Sequence, residues 1–356
     1  MAGGCRAQLS IDLEALRHNF QQVRQAAPAS KIMAAVKANG YGHGMVKVAQ
    51  ALTEADAFAV ATVAEALTLK RAKISQPIVI LEGFLDLEEL NLAVEEGFIC
   101  VIHSPYQLEL MENKLQGELK VWVKIDSGMH RLGFPLSRVE SVNSRLAKME
   151  NVELIGWMSH FSDADDLNNP KTDRQIDDFS RATAGLKGER SLANSGGILG
   201  WPDSHLDWVR PGIMLYGSSP FANKSAEELG LRPVMHFTAK IITVNRCQQG
   251  DSVGYGSSWQ CPEDMAVGVV SVGYGDGYPR HAAFGTPLLV NGGEYPLIGR
   301  VSMDMVTIDL RSNPDLKTGD EVVLWGGGLP VDRIAASATT ISYELFCGVT
   351  QRVVRK

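Results

Sequence analysis

Residues 31–44 read KIMAAVKANGYGHG, and the recurrence of this pattern along the chain decides the fold. KIMAAVKA is a short apolar run carrying one cation near its end, and a glycine-rich turn comes directly after it. A doubly wound dinucleotide fold would place G-x-G-x-x-G after its first strand, and GYGHG does not supply that spacing. Further on, the same kind of run recurs as AFAVAT from Ala57, PIVILEGF from Pro77, ICVIHS from Ile99 and KVWVKIDS from Lys120. VELIGWMSHF from Val152, SLANS from Ser191 and WVRPGIMLYG from Trp208 complete the set. Helical spacers lie around and between them. Leu13, Leu16, Phe20 and Val23 recur at helical spacing behind Asp12 as N-cap, and Thr62 with Glu65 forms a capping box opening VAEALTLKRA. Eight strand-like runs with helical spacers over roughly 200 residues predict an α/β fold, a (β/α)8 TIM-type barrel over residues 10–229.

The texture changes near residue 230. FTAKIITVNRC, AVGVVSVGYG, TPLLVNGGEYPLIG, MVTIDL and EVVLWGG read as strands punctuated by glycine and proline. One helix is expected from about Asp332 to Cys347, before a closing strand RVVRK. Residues 230–356 therefore form a mostly β C-terminal domain. The N-terminal strand (residues 1–9, reading on to Ile11) has no helix before it and is expected to pair with that domain. GYGDGYP, from Gly273, does not open a helix and is taken as a turn.

Composition narrows the function classes. Of 356 residues, 45% are hydrophobic and 21% charged, as in an ordinary globular chain. A net charge of -7 gives no field that would coat nucleic acid or an anionic membrane. Five cysteines, odd in number and without C-x-x-C, suit free thiols in a reducing compartment. The N-terminal stretch has no apolar core of a signal peptide, and no run approaches membrane-span length. A cytoplasmic protein is expected. No metal is expected, because no HExxH or paired Cys/His set appears.

Barrel enzymes carry their chemistry at the C-terminal strand ends. Lys37 stands at the first of these, and a lysine in an apolar strand is costly unless paired, deprotonated or covalently used. From the residues alone, a structural ion pair and a Schiff-base lysine both remain open. The whole string VKANGYGHG closely resembles the pyridoxal-phosphate attachment motif of the alanine racemase family, with Gly40 where many members have alanine. The resemblance runs from Ile11 to the C-terminus. It implies that Lys37 carries pyridoxal 5'-phosphate as a Schiff base.

KIDSGMHRLG from Lys124 resembles the family's fifth-strand motif. It implies that Arg131 contacts the substrate carboxylate and the cofactor's phenolic oxygen, a role suited to a guanidinium fork. Lys124 matches a lysine often carbamylated in relatives, and as an ordinary cation it would face Arg131 as a like charge. His160 ends the sixth strand, where a core histidine bonded to backbone is the plain alternative; by resemblance it lies against the cofactor ring. Asn194-Ser195-Gly196 fits a phosphate cradle. Phosphate contacts carry over to Tyr41, Ser195, Gly212, Ile213 and Tyr343. Arg210 matches the arginine facing the pyridine nitrogen. That arginine keeps its own proton, so the nitrogen stays unprotonated and the electron sink shallow, which suits racemisation over transamination.

Racemisation takes a proton from one face of the α-carbon and returns it on the other. Resemblance places Lys37 on one face and Tyr255, in Gly254-Tyr255-Gly256, on the other. A free tyrosine hydroxyl has a pKa of about 10, so this role needs the cations of a Tyr255–His160–Arg210 chain. Met303 matches a residue whose backbone approaches the substrate carboxylate, and Asp165, Tyr274, Arg280 and Arg300 match entrance positions. The family further implies a homodimer with shared sites, Lys37 from one chain and Tyr255 from the other. The expectation is an alanine racemase serving peptidoglycan or alanine catabolism. A broad-specificity (for example serine) racemase, a decarboxylase on a similar frame, and a non-catalytic pyridoxal-phosphate carrier are the alternatives.

Overall fold

The computed structural model describes residues 7–356. Cys5, the N-terminal reading against a signal peptide, and residues 1–6 of the expected first strand lie outside the described residues. The chain forms two compact units. One comprises Arg17–Leu215 with Ser219–Gly230; the other comprises the chain up to Leu16, Tyr216–Ser218 and Leu231–Lys356.

Strand β1 (Gln8–Ile11) belongs to the second unit. The first unit is built on β2 (Lys31–Ala35), β3 (Ala57–Val60), β4 (Ile78–Ile80), β5 (Ile99–Ile102) and β6 (Leu119–Asp126). A two-residue strand β7 (Phe134–Pro135) returns onto the end of β6, and β8 (Val152–Met158), β9 (Glu189–Ser191) and β10 (Trp208–Val209) come next. Every pairing is parallel, and contacts of β10 with β2 and of β5 with β6 close the ring. This is the eight-stranded parallel barrel the sequence predicts. Met33, Ala59, Val79, Val101, Trp122, Met158 and Trp208 share one buried cluster, with the Trp122 and Trp208 rings edge-to-face at 6.1 Å. At Gly156 the neighbouring strand comes so close that a Cβ would sit 1.9 Å from the Glu189 carbonyl oxygen. Side-chain oxygens of Thr62, Asp86 and Ser104 cap the helices after β3, β4 and β5.

Two late strands are shorter than their apolar runs. β9 ends at Ser191, so only the first residue of SLANS is strand. β10 stops at Val209 because Pro211 has no amide to give a ladder and the Ser195 hydroxyl takes the amides of Gly212 (2.9 Å) and Met214 (3.3 Å). Ile213–Tyr216 then forms a 3₁₀ turn.

The second unit contains β11 (Met235–Cys247), β12 (Ser252–Val253), β13 (Trp259–Gln260), β14 (Met265–Val270), β15 (Pro287–Val290), β16 (Gly293–Ile298), β17 (Val306–Asp309), β18 (Glu321–Trp325) and β19 (Val354–Arg355). The order β14-β17-β16-β15-β18-β11 closes on itself through β14–β11. Strand β11 serves both ends of that ring. It is 13 residues long and changes register at two points, pairing β18 with its first half and β14 with its second. β1 lies antiparallel on β11 and parallel to β19, so the N-terminal strand joins this unit. The core is aromatic: Phe237 packs on Trp325 at 4.7 Å, and Tyr278 stacks with Trp325 at 6.4 Å.

The single helix expected from Asp332 to Cys347 is two helices, Val331–Ser337 and Ser342–Gly348. The first closes in a Schellman turn, with the Thr340 amide on Ala335 O and the Thr339 amide on Ala336 O. Thr339 holds the left-handed position at φ +51°, where glycine is usual, so no breaker residue marks the stop. Among the described residues, no helix is long and apolar enough to cross a membrane.

Candidate active site

Beyond β2 the backbone turns left-handed for five residues in succession. Ala38, Asn39, Gly40, Tyr41 and Gly42 have φ of +52°, +53°, +63°, +51° and +79°. Such backbone costs roughly 1–2 kcal/mol for each non-glycine residue, so it persists only where many bonds hold it. Gly40 N–H donates to Val36 O at 2.7 Å, Gly42 N–H to Ala38 O at 2.9 Å and Gly44 N–H to Asn39 O at 2.8 Å. The Asn39 side chain accepts from Met45 N–H at 3.0 Å. This turn leaves Lys37 half-buried at the strand end and buries Tyr41. The Tyr41 hydroxyl passes so near Gly212 that a Cβ there would lie 2.7 Å from it.

Lys37, Lys124, Arg131 and Arg210 form a concentration of positive charge. Burial, then the charges of Arg210, Arg131 and Lys37, push the Lys124 amine down to about 8, against a smaller opposing pull from Asp126. Burial and the same cations, with Lys124, drive the His160 imidazole well below its usual pKa. Arg210 is 7% exposed, and desolvation lowers its guanidinium to about 10. Its fork is held by neutral acceptors: Ser191 Oγ at 2.6 Å, the Leu192 carbonyl at 3.2 Å and the Ser159 carbonyl. It also donates to His160 Nδ1 at 3.4 Å.

Arg131 is carried on a loop that closes back on its own strand through β7. Asp126 organises it, accepting amides from Gly128 (2.9 Å), Met129 (3.0 Å) and His130 (3.0 Å). Burial pushes the Asp126 carboxyl up, but these amides outweigh it and hold it below the usual range. Arg131 itself is exposed, as is Asp165.

Ser195, Gly212 and Ile213 come together with Tyr41. Ser195 Oγ accepts two amides, which leaves its own O–H to donate elsewhere. Gly212 thus already gives its amide to Ser195. Surplus cations beside hydroxyls able to donate suit a ligand that brings a phosphate and a carboxylate. An aldehyde would find the Lys37 amine at the same strand ends. The donor set of this unit therefore fits pyridoxal phosphate.

The remaining predicted residues lie in the β unit. Tyr255 stands on a 3₁₀ turn (Tyr255–Ser257) and is 70% exposed, with the Arg300 guanidinium packed against Gly256. Tyr274 and Met303 are neighbours and exposed: Tyr274 N–H donates to Ser302 O at 3.1 Å, and Gly275 N–H to Met303 O at 2.9 Å. Arg280 is exposed, and Tyr343 is half-buried on the helix Ser342–Gly348. GYGDGYP is a turn, closed by Tyr278 N–H on Gly273 O and by Asp276 accepting the Gly273 amide at 2.9 Å.

Several supporting residues escape a reading by motif. Ser191 anchors Arg210; Ser127 and Ser159 share a hydrogen bond at 2.7 Å, with Gln175 donating to Ser127 at 3.3 Å. Their one signal is a hydroxyl at the end of an apolar strand, which needs a partner once buried.

A family model described as the alanine racemase N-terminal domain matches residues 11–220, and one for the C-terminal domain matches residues 234–356. An alanine racemase of Nitrosococcus oceani is 51% identical over 351 residues, 98% of each chain. The crystal structure of biosynthetic alanine racemase from Pseudomonas aeruginosa superposes with a TM-score of 0.96 at 44% identity, covering 99% of both chains. The alanine racemase from Bartonella henselae with covalently bound pyridoxal phosphate matches at 30% identity with a TM-score of 0.89, also over 99% of both. By fold, by strand-end chemistry and by match along its length, the chain belongs to the alanine racemase family, a family of isomerases.

Proposed function

We propose that this protein interconverts L- and D-alanine with pyridoxal phosphate held by Lys37, and that Lys37 and Tyr255 act as opposed bases. The observation carrying this is Lys37 at the end of β2, set by a left-handed turn beside Lys124, Arg131 and Arg210. The chemistry supplied by pyridoxal phosphate, when bound, is an electron sink that makes the α-hydrogen removable.

The chain's own residues do the rest. Tyr41, Ser195, Gly212, Ile213 and Tyr343 would hold the phosphate, and Arg131 and Met303 the substrate carboxylate. Arg210 would face the ring nitrogen as a hydrogen-bond donor; its seat among Ser191, Leu192 and Ser159 oxygens keeps the guanidinium fixed. Lys37 Nζ takes or gives the proton on one face, and Tyr255 Oη on the other. His160 links Arg210 to Tyr255 through its two ring nitrogens. Lys124, whose lowered pKa leaves a large neutral fraction near pH 8, reacts with carbon dioxide: its amine bonds the carbon, a proton leaves, and the resulting carbamate holds Arg131. Asp165, Tyr274, Arg280 and Arg300 would line the entrance.

The working unit is a homodimer in which the barrel unit, residues 10–229, binds the cofactor and the second copy's β unit completes the site. The exposure of Tyr255 and Met303 on the single chain supports this. The physiological role is D-alanine supply for peptidoglycan from the cytoplasm, favoured by the 44% identity to a biosynthetic relative, with alanine catabolism as the other flux. Incubation of the holoprotein with single L-amino acids and chiral separation of the products tests the activity. Alanine should racemise fastest; serine ahead of alanine would favour the broad-specificity reading, and no racemisation of any amino acid would refute the proposal.

A further inference from the structure

Glu65 occupies the third position of the helix Val63–Arg71, where a capping box sends the carboxylate back to the N-cap amide. Half of that box is present: the Thr62 hydroxyl accepts from Glu65 N–H at 3.3 Å. The carboxylate goes elsewhere. Its Oε2 accepts from Ala61 N–H at 2.8 Å, and its Oε1 from Ala38 N–H at 2.7 Å. Ala61 comes directly after the end of β3, and Ala38 directly after Lys37. One anion thus ties two neighbouring strand ends together at the residue next to Lys37.

Ala38 is the residue at which the backbone first turns left-handed, with φ +52° and ψ +50°. The ladder from the β2 end to β3 finishes at Val36 N–H on Ala59 O. Two residues further on, the Ala38 amide has left that ladder, and Glu65 supplies its acceptor. We propose that Glu65 is a positioning residue for Lys37: by holding the peptide between Lys37 and Ala38 it fixes the direction in which the lysine side chain leaves the strand end. This rests on Lys37 being the cofactor-bearing base. A carboxylate is the required type, because both oxygens accept; a glutamine would turn its own N–H₂ toward one of two N–H donors.

The test compares full-length Glu65→Gln with Thr62→Ala, which removes only the helix cap. Four quantities are measured: kcat and KM for alanine, affinity of the apoprotein for pyridoxal phosphate, and stability in urea. Thr62→Ala should lose stability yet keep kcat and cofactor affinity within about twofold. Glu65→Gln should lose roughly 10- to 100-fold in kcat, with KM nearly unchanged, and bind pyridoxal phosphate more weakly. Should Glu65→Gln not fold, Glu65→Asp takes its place with the same expectations, since it keeps the charge and shortens the reach. If the Glu65 variant loses only stability, like Thr62→Ala, the positioning role is refuted. Borohydride reduction of the wild-type holoprotein, with peptide mass spectrometry of the product, separates this failure from that of the parent reading. An adduct on a residue other than Lys37 removes both, whereas an adduct on Lys37 with an unaffected Glu65 variant removes only the role of Glu65.

Discussion

Nη2 of Arg210 donates to Nδ1 of His160 across 3.4 Å. A guanidinium has no lone pair to offer, so Nδ1 is the acceptor and the ring proton sits on Nε2. The imidazole is thereby fixed as one neutral tautomer, with its N–H pointing away from Arg210.

His160 should therefore stay neutral. Desolvation first, and then Arg210, depress its pKa, so nitrogen NMR of labelled histidine should show the neutral Nε2–H form throughout the neutral range. Protonation in the fold is disfavoured, so the group makes acid destabilising. Its contribution should worsen as pH falls through the ordinary histidine pKa and be absent above it. Arg210→Gln should move the pKa partway back up. A doubly protonated His160 at neutral pH would contradict the assignment.

Lys124 should bind carbon dioxide. With its amine pushed down to about 8, the neutral form grows as pH rises through that value, and carbamate formation needs the neutral form. Carbon-13 bicarbonate should give a carbamate resonance that strengthens above that pH, fades in acid and is lost in Lys124→Ala. Acetate should partly restore the activity of that variant. Full activity of Lys124→Ala without an additive would remove the orienting role.

Two ion pairs should separate cleanly in stability. Asp276 is 6% exposed and takes both Nε (2.6 Å) and Nη2 (3.1 Å) of Arg352, whose own charge is stabilised above its usual range by these bonds and by Asp304. Arg352→Ala leaves a buried carboxylate with fewer donors and should cost about 1–3 kcal/mol in urea unfolding. Arg145–Glu112, equally bidentate at 2.7 Å but solvent-facing, should cost less than about 1 kcal/mol when Arg145 is replaced by alanine. Equal losses would show that burial is not the deciding factor.

Subunit exchange should restore activity. In the proposed homodimer, Lys37→Ala and Tyr255→Phe should each be nearly inactive alone, while a mixed dimer would contain one intact site if Tyr255 acts across the dimer. Heterodimers confirmed by native mass spectrometry but without recovered activity would refute the shared site.

Much of the fold was readable because a parallel barrel writes each strand as an apolar run beside a capped helix, as at Thr62, Asp86 and Ser104. The places that were not readable share a cause: backbone held by particular hydrogen bonds, local at Thr339 and long-range at Ser195, that composition does not encode. Thr339 ends a helix in a glycine's conformation, and Ser195 terminates the last barrel strand by capturing amides 17 and 19 residues away. In the site, charged residues within dense motifs stood out, whereas Ser191, Ser159 and the long reach of Glu65 depend on three-dimensional proximity.

The two-base account meets its most direct test in deuterium exchange by the Tyr255→Phe holoprotein. L-alanine and D-alanine are supplied separately in heavy water, and α-deuterium is measured in the recovered substrate and in its enantiomer. With Lys37 acting alone on one face, one enantiomer should still exchange its α-hydrogen while the other does not, and conversion between them should be nearly abolished. Racemisation by Tyr255→Phe at the wild-type rate, with deuterium entering both enantiomers equally, would contradict Tyr255 as the second base.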